Sequence, residues 1–578
     1  MTNTAGTIPG AAAVPDGAPK LRFGLICSDL AFPAWQAAAI RQLLASGLAE
    51  PVLLIIDDSS EASGGAQTCR SLLYRLYQRF WSVPRLKALR PVDLTDELGH
   101  LPAIWRQDRA PGLGESDLSE LQRGRPDFIV QFAFSSLADD VCAASRFGIW
   151  AYDAYPEDCH GTLTAFWAYR HGRSTLPRAL LCVGGAPSGV LHRGSFRAGA
   201  SGASSIDAAL FGSADWCVRV CRQLLLERDG AKASPPPAPL PERGAQPGNG
   251  DVLRFLTRRV GAMLMALFRQ YFLLEYWNIG IVDADIERVV ADGAPAAVRW
   301  LPAPRPLHYH ADPFALPDQP ESILFEEYSH ATGLGWISTI SLTEAERAPR
   351  RIAAFDQGTH RSYPFLFSFE GATFCIPESG SDRRVDLYRA VRFPDLWQHA
   401  GVLVEDFPAL DSSVFFHGGR WWLFCTSGDA GGEHKLYAWH AASPLGPWEP
   451  HRLNPLKCDV SSSRPAGRPF LMGGALCRPA QDCSETYGGA VVINRIVALT
   501  PTDFAEVPAA RIRPAAESGY GAGLHTLCPI GRRTIIDGKR FRFDLRGPYL
   551  KAKRAGLFGR ASPHRPAVLT MSGGARPQ

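Results

Sequence analysis

One pattern recurs about every fifty residues through the second half of the chain and limits the folds open to it. It reads Ala311-Asp312-Pro313-Phe314, then Ser362-Tyr363-Pro364-Phe365, then Asp411-Ser412-Ser413-Val414-Phe415. Weaker forms follow at Arg464-Pro465-Ala466-Gly467 and Gly523-Leu524-His525. The strong units share a small or acidic opener, an apolar strand, a glycine turn and a second strand rich in aromatics. In the third unit the turn is Gly418-Gly419 and the second strand Trp421-Trp422-Leu423-Phe424. Short strands at such a period indicate propeller blades, since one blade cannot bury its own faces and needs neighbours on both sides. The steps from Asp312 to Tyr363, Asp411, Ala466 and His525 predict five blades. With each opener on an innermost strand, these polar residues converge on one funnel.

The 578 residues are too many for one ordinary domain. A Pro-rich run, Ser234 to Pro241, followed by Gly244 to Gly250, marks a linker. Ahead of it, Leu21 to Cys27, Pro51 to Ile56 and Asp127 to Phe132 read as strands. They alternate with helical stretches such as Ala34 to Ser46, which Pro33 precedes. That rhythm predicts an open α/β sheet with parallel strands. The expected organisation is a disordered stretch over 1–19, an α/β domain over 20–230, a linker over 231–250 and a connecting amphipathic helix over 251–276. A five-bladed all-β propeller over 277–545 and a basic disordered tail over 546–578 complete it.

Basic and acidic residues nearly balance, 61 against 57 for a net +4, which gives no support to a nucleic-acid partner. Thirteen scattered cysteines without a C-x-x-C pair read as buried reduced thiols. Residues 1–17 hold no apolar core of a signal peptide, so a cytoplasmic setting is expected. Val252 to Tyr276 spaces apolar residues helically around Arg254, Arg258, Arg259 and Arg269. Such a helix docks between domains or makes peripheral contact with a membrane surface.

Around residue 148 the chain resembles the formyltransferase family. The stretches that carry this are Gly148-Ile149-Trp150-Ala151-Tyr152-Asp153, His160-Gly161, Phe166-Trp167-Ala168-Tyr169 with Gly172, and Pro187-Ser188-Gly189. The resemblance spans about residues 20–225. It implies an Asn, a His and an Asp as the catalytic set, and here those positions hold Ala151, Asp153 and Pro187. Ala and Pro have no side chain to donate or relay a proton, so neither formyl transfer nor a folate cofactor is expected.

The second half is similar to the propeller domain at the N-terminus of plant glucosamine inositolphosphorylceramide transferases. The matching residues are the openers together with Leu324-Phe325-Glu326-Glu327-Tyr328, Ile376-Pro377-Glu378-Ser379 and Arg478-Pro479-Ala480-Gln481-Asp482-Cys483. It also resembles five-bladed furanosidase-type glycoside hydrolases. The first resemblance implies a glycan or glycolipid substrate, and the crevice of the formyltransferase-like half permits a nucleotide-sugar substrate. The second implies carboxylates around the funnel that divide acid and base roles. The candidate catalytic residues are Asp312, Asp411, Glu378 and Asp482. Arg464, Arg478, His525, Tyr363 and His310 are candidates for substrate binding. Each has a bland alternative: an Asp before Pro caps a turn, and an Arg between strands makes a structural ion pair. No metal site is assigned, since His308-Tyr309-His310 beside Asp312 lacks a further ligand at a recognisable spacing. Asp283-Ala284-Asp285 matches the short D-x-D pattern of many glycosyltransferases, which arises easily by chance. Three functions stay open: a transferase acting on a glycan or nucleotide-linked sugar, a glycoside hydrolase using the funnel carboxylates, and a non-catalytic glycan-binding or assembly protein.

Overall fold

A computed structural model describes residues 20–57, 71–106, 113–132, 141–142, 144–152, 162–183, 189–199, 201–228, 246–344, 348–429 and 432–555. The chain divides into two compact units.

The first unit contains a seven-stranded sheet. Leu21–Cys27 is its third strand, flanked by Ala49–Asp57 and then Ala103–Arg106 on one side. On the other side follow Phe128–Gln131, Ile149–Tyr152, Thr175–Val183 and Gly189–Arg197. The first five of these strands in chain order pair in parallel. The last two run antiparallel as a hairpin edge. The chain reverses its direction of travel across the sheet between Leu21–Cys27 and Phe128–Gln131, the switch point at which such sheets open a crevice. Burial of Phe23, Phe128 and Trp150 holds this centre, with the Phe128 and Trp150 rings stacked at 3.8 Å. Helix Ala34–Ala45 begins directly after Pro33, whose ring suits a helix start.

This mixed α/β unit is not contiguous in sequence, because residues 450–460 and 498–505 group with it. The reason lies on helix Trp216–Arg228. Arg219 Nη1 donates to the carbonyls of Leu453 (2.6 Å) and Pro455 (2.5 Å), and Arg222 Nη1 to that of Asn454 (2.7 Å). Loop carbonyls outside any ladder need such donors. The described cysteines of the chain are buried. Ala151 lies half-buried on strand Ile149–Tyr152, while Asp153 and Pro187 fall outside the described residues.

The second unit is a five-bladed β-propeller. Its blades are numbered here by the order of their innermost strands. These are His308–Leu316, Ser362–Phe369, Ala409–His417, Phe470–Met472 and Leu527–Ile530. Blade 5 closes the ring. Its inner strand pairs with Arg533–Phe543, which runs antiparallel to Leu273–Val282 from Leu273 opposite Phe543 to Val282 opposite Thr534. The first and last strands of the unit thus share one sheet, and no blade edge toward a neighbour is left open by chain order.

Several boundaries differ from the sequence expectation. The connecting helix runs Asn249–Phe272, beginning inside the expected linker, and the first propeller strand starts at Leu273. Gly547–Arg554, placed in a disordered tail by its basic composition, is helical, with Gly547 and Leu550 buried. Asp285 of the D-x-D pattern caps helix Ile286–Asp292, accepting from Arg288 N at 2.9 Å.

Candidate active site

The openers lie within or just ahead of the inner strands, and three share an unusual backbone. Asp312, Tyr363 and Asp411 have φ of 51°, 44° and 53°. A side chain in this left-handed region costs about 1–2 kcal/mol. The ladders slip at the same places, between Ala311 and Phe314, Ser362 and Phe365, and Leu410 and Ser413. Each is a bulge that turns a backbone N–H away from its strand partner.

Carboxylates from neighbouring blades take up those N–H groups. Asp537 of blade 5 accepts from Asp312 N of blade 1 (3.1 Å). Asp312 accepts from Tyr363 N of blade 2 (3.2 Å). Glu378 of blade 2 accepts from Asp411 N of blade 3 (3.0 Å). Blade 4 then contributes side chains: Arg464 Nε and Gln481 Nε2 donate to Asp411 Oδ2 at 2.6 and 2.8 Å. The Tyr363 hydroxyl crosses the centre, accepting from Gly467 N at 2.7 Å and sharing a hydrogen bond with Ser413 Oγ at 3.0 Å.

Glu326, Glu378 and Asp537 occupy related places on second strands. Glu326 pairs with Ala311 and Glu378 with Ser362, each just ahead of an opener, while Asp537 follows the partner of Leu527. Glu326 and Asp537 were not among the sequence-derived candidates. The signal for Glu326 was its matching place to Glu378, one strand on from an opener. Asp537 showed no repeat pattern of its own.

Crowding of buried acids sets the electrostatics. Burial pushes Asp312 up to about 6, opposed by His525 and reinforced by Asp411 and Asp537. Burial pushes Asp411 up to about 7, where Arg464 opposes it and the charge and hydrogen bond of Glu378 raise it further. Burial, and then the charges of Asp312, Glu378, Asp411 and Asp537, hold Glu326 well above the usual carboxylate range. Burial disfavours the His525 cation, yet Asp537 and then Asp312 keep its pKa above the ordinary value. Its Nδ1 lies 2.5 Å from Asp537, and its ring stacks on Trp277 at 3.9 Å.

The funnel therefore brings together Asp312, Asp411, Glu378, Arg464, Tyr363 and His525 from the sequence-derived set. Glu378, Arg464 and Tyr487 are partly exposed, while Asp312, Asp411 and Tyr363 are buried. The Arg464 guanidinium lies over the Tyr487 ring at 5.1 Å. Three candidates do other work. Asp482 pairs with Arg511 (2.7 Å) and accepts from Ser484 Oγ (2.6 Å). Arg478 is buried against Glu506 with two hydrogen bonds of 3.0 and 2.7 Å, and also donates to the Ser462 and Ser463 carbonyls. His310 packs on Phe325 at 4.8 Å, where burial lowers its pKa to about 4. In each case the strand register turns the side chain into its own blade.

Asp312, His525 and Asp537 offer ligand atoms within 4.8 Å of one another. Their fit to a metal ion is poor. Asp537 already accepts from the N–H groups of Asp312, His525 and Thr526, and Asp312 from Tyr363 N and Thr526 Oγ1. Protein donors thus take most of the lone pairs of Asp537 and half of those of Asp312.

The fold and site define a class: a five-bladed propeller whose centre is lined by interblade carboxylates. Residues 297–520 match the family model described as Glucosamine inositolphosphorylceramide transferase 1, N-terminal. Over 160 residues the chain is 41% identical to glucosamine inositolphosphorylceramide transferase 1 of Oryza sativa subsp. japonica, covering 27% of this chain and 21% of that protein. Over 210 residues it is 35% identical to the Arabidopsis thaliana protein of the same name, covering 35% and 27%. The matches thus span about a quarter of the relatives' length. Among solved structures, an α-L-arabinofuranosidase from Lactobacillus brevis aligns with 16% identity over 38% of this chain and 78% of its own, with a TM-score of 0.28. A family 117 glycoside hydrolase of Zobellia galactanivorans aligns with 13% identity over 40% and 85%, with a TM-score of 0.27.

Proposed function

We propose that this protein is a transferase of glycolipid or surface-glycan synthesis that handles a glycan or nucleotide-linked sugar at the funnel mouth. The observation that carries the reading is the Asp411 site. A buried carboxyl held near 7 accepts from Arg464 Nε at 2.6 Å, while the backbone N–H of the same residue donates to Glu378 at 3.0 Å, beside partly exposed Tyr487. A carboxyl that titrates near neutral pH is suited to taking a hydroxyl proton from an acceptor. In that step the acceptor oxygen bonds to the anomeric carbon as the bond to the leaving group breaks. Arg464 offsets charge on a phosphate-bearing leaving group, and the Tyr487 face takes a sugar ring. The relatives' name supports a glycolipid acceptor. On this reading the protein works in the cytoplasm, and the α/β unit is a formyltransferase-like scaffold whose chemistry has lapsed at Ala151.

The test is mass spectrometry of glycolipids and surface glycans from a deletion strain complemented with wild type, Asp411→Asn, Glu378→Gln or Arg464→Gln at equal protein level. Loss of one glycosylated species in the deletion and in all three variants is expected. A full profile with Asp411→Asn and Glu378→Gln overturns the reading. Accumulation of a glycosylated species in the deletion, with none lost, favours the hydrolase.

A further inference from the structure

Helix Asn249–Phe272 buries Val252 and Phe255 near its beginning. Farther along, nearly every residue is exposed. Leu253, Leu256, Val260, Met263, Leu264, Leu267, Phe268 and Tyr271 follow one another at intervals of three, four and one. At 100° per residue they form a single stripe along the helix. Leu253 is 60% exposed and Leu264 59%. A stripe this apolar is not left to water without a partner.

The stripe continues onto neighbouring structure at the helix end. Phe268 and Phe272 stack on Phe543 at 6.2 and 6.1 Å. Asp544 N donates to the Phe272 carbonyl at 2.9 Å. Beside them Phe543, Leu545 (75% exposed) and Tyr549 also face solvent. Phe268, Phe272 and Phe543 thus form one apolar cluster at the helix end, with Leu545 and Tyr549 exposed in the segment that follows.

Charge decides what covers it. Residues 252–272 hold Arg254, Arg258, Arg259 and Arg269 and no acid. Arg254, Arg258 and Arg269 are exposed, on the flank beside the stripe. Arg542, Arg546 and Lys553 are exposed around the second part, where Asp544 offsets Arg546. Two copies joined along the stripe would set arginine against arginine, since the helix's one acid, Asp251, lies in its first turn beside Arg170 at 3.6 Å. An anionic surface supplies the missing charge, and an apolar stripe flanked by arginines is the pattern of helices that lie in a lipid interface. No helix among the described residues is long and apolar enough to cross a membrane.

We propose that helix Asn249–Phe272, with the adjoining Phe543–Leu545–Tyr549 surface, docks the protein onto an anionic lipid surface. The apolar stripe enters the acyl boundary and Arg254 and Arg269 contact headgroup phosphates.

The test is vesicle co-sedimentation of the full chain. Vesicles of phosphatidylcholine alone are compared with vesicles holding an equal share of phosphatidylglycerol. Binding to the anionic vesicles is expected, falling steeply with added salt. Arg254→Gln with Arg269→Gln should weaken it by about fivefold per arginine removed. Leu264→Glu with Phe268→Glu should abolish it with the melting profile retained, since Leu264 and Phe268 are exposed. Should that pair melt early, the arginine pair alone decides. Equal binding to both vesicle types, or none to either, overturns the proposal. So does a dimer in light scattering that Leu264→Glu with Phe268→Glu makes monomeric, which would assign the stripe to a second copy. Neither vesicle contains a sugar donor or a glycosylated acceptor, so the result is independent of the transferase reading.

Discussion

Asp411 is where a single side chain does most for the candidate site. Its carboxyl is raised from 3.8 to about 7, so it binds its proton more tightly folded than unfolded. The stability this contributes is complete below the ordinary carboxylate range and is lost as pH rises through about 7. Such a group lowers stability by about 1.4 kcal/mol per pH unit inside that window. Asp411→Asn should therefore flatten the fall of the propeller's unfolding transition between acid and neutral pH, measured by thermal melts across that range. An unchanged slope would show that Asp411 is ionised throughout. Asp312, raised to about 6, should contribute a parallel but earlier slope that Asp312→Asn removes.

The inner strand with its bulge is the element that makes the centre. Tyr363 shows how: its left-handed backbone frees an N–H for Asp312, while its hydroxyl reaches Gly467 and Ser413 in two other blades. Tyr363→Phe keeps the ring and leaves Gly467 N without its acceptor in a buried place. That should cost about 1–3 kcal/mol, read as an earlier propeller transition with unchanged secondary structure by circular dichroism. Replacing Tyr363 with Val should cost more, because a β-branched side chain in the left-handed region adds backbone strain. Strand alternation explains the candidates that fell away. Asp482, Arg478 and His310 have the chemistry of a site, but a strand's alternation turns them to partners within their blades.

At the scale of the molecule, closure is the decisive feature. The ladder between Leu273–Val282 and Arg533–Phe543 joins the two ends of the propeller, and Asp537 on that strand anchors Asp312 in the next blade. Ending the chain at Thr526 removes both. The truncated protein should lose its cooperative propeller transition, and limited proteolysis should cut between blades. A propeller transition that survives this truncation would show that the closing blade is dispensable.

Much was legible in the sequence because it is periodic. A repeat near fifty residues with an opener at each inner strand yields the number of blades and the convergence of Asp312, Tyr363, Asp411, Arg464 and His525. Alternating strand and helix yields an α/β unit ahead of it. Composition misled at the tail, where Gly547–Arg554 is basic yet folds, since its buried Leu550 decides more than its charge. What only the tertiary structure decided is which acids meet and in which protonation state. Glu326 and Asp537 join the funnel through strand register. The raised Asp411 carboxyl arises from burial beside Glu378, against Arg464. Period is written into the order of residues, whereas a pKa depends on distance and on the exclusion of water, and those exist only once the ring is closed.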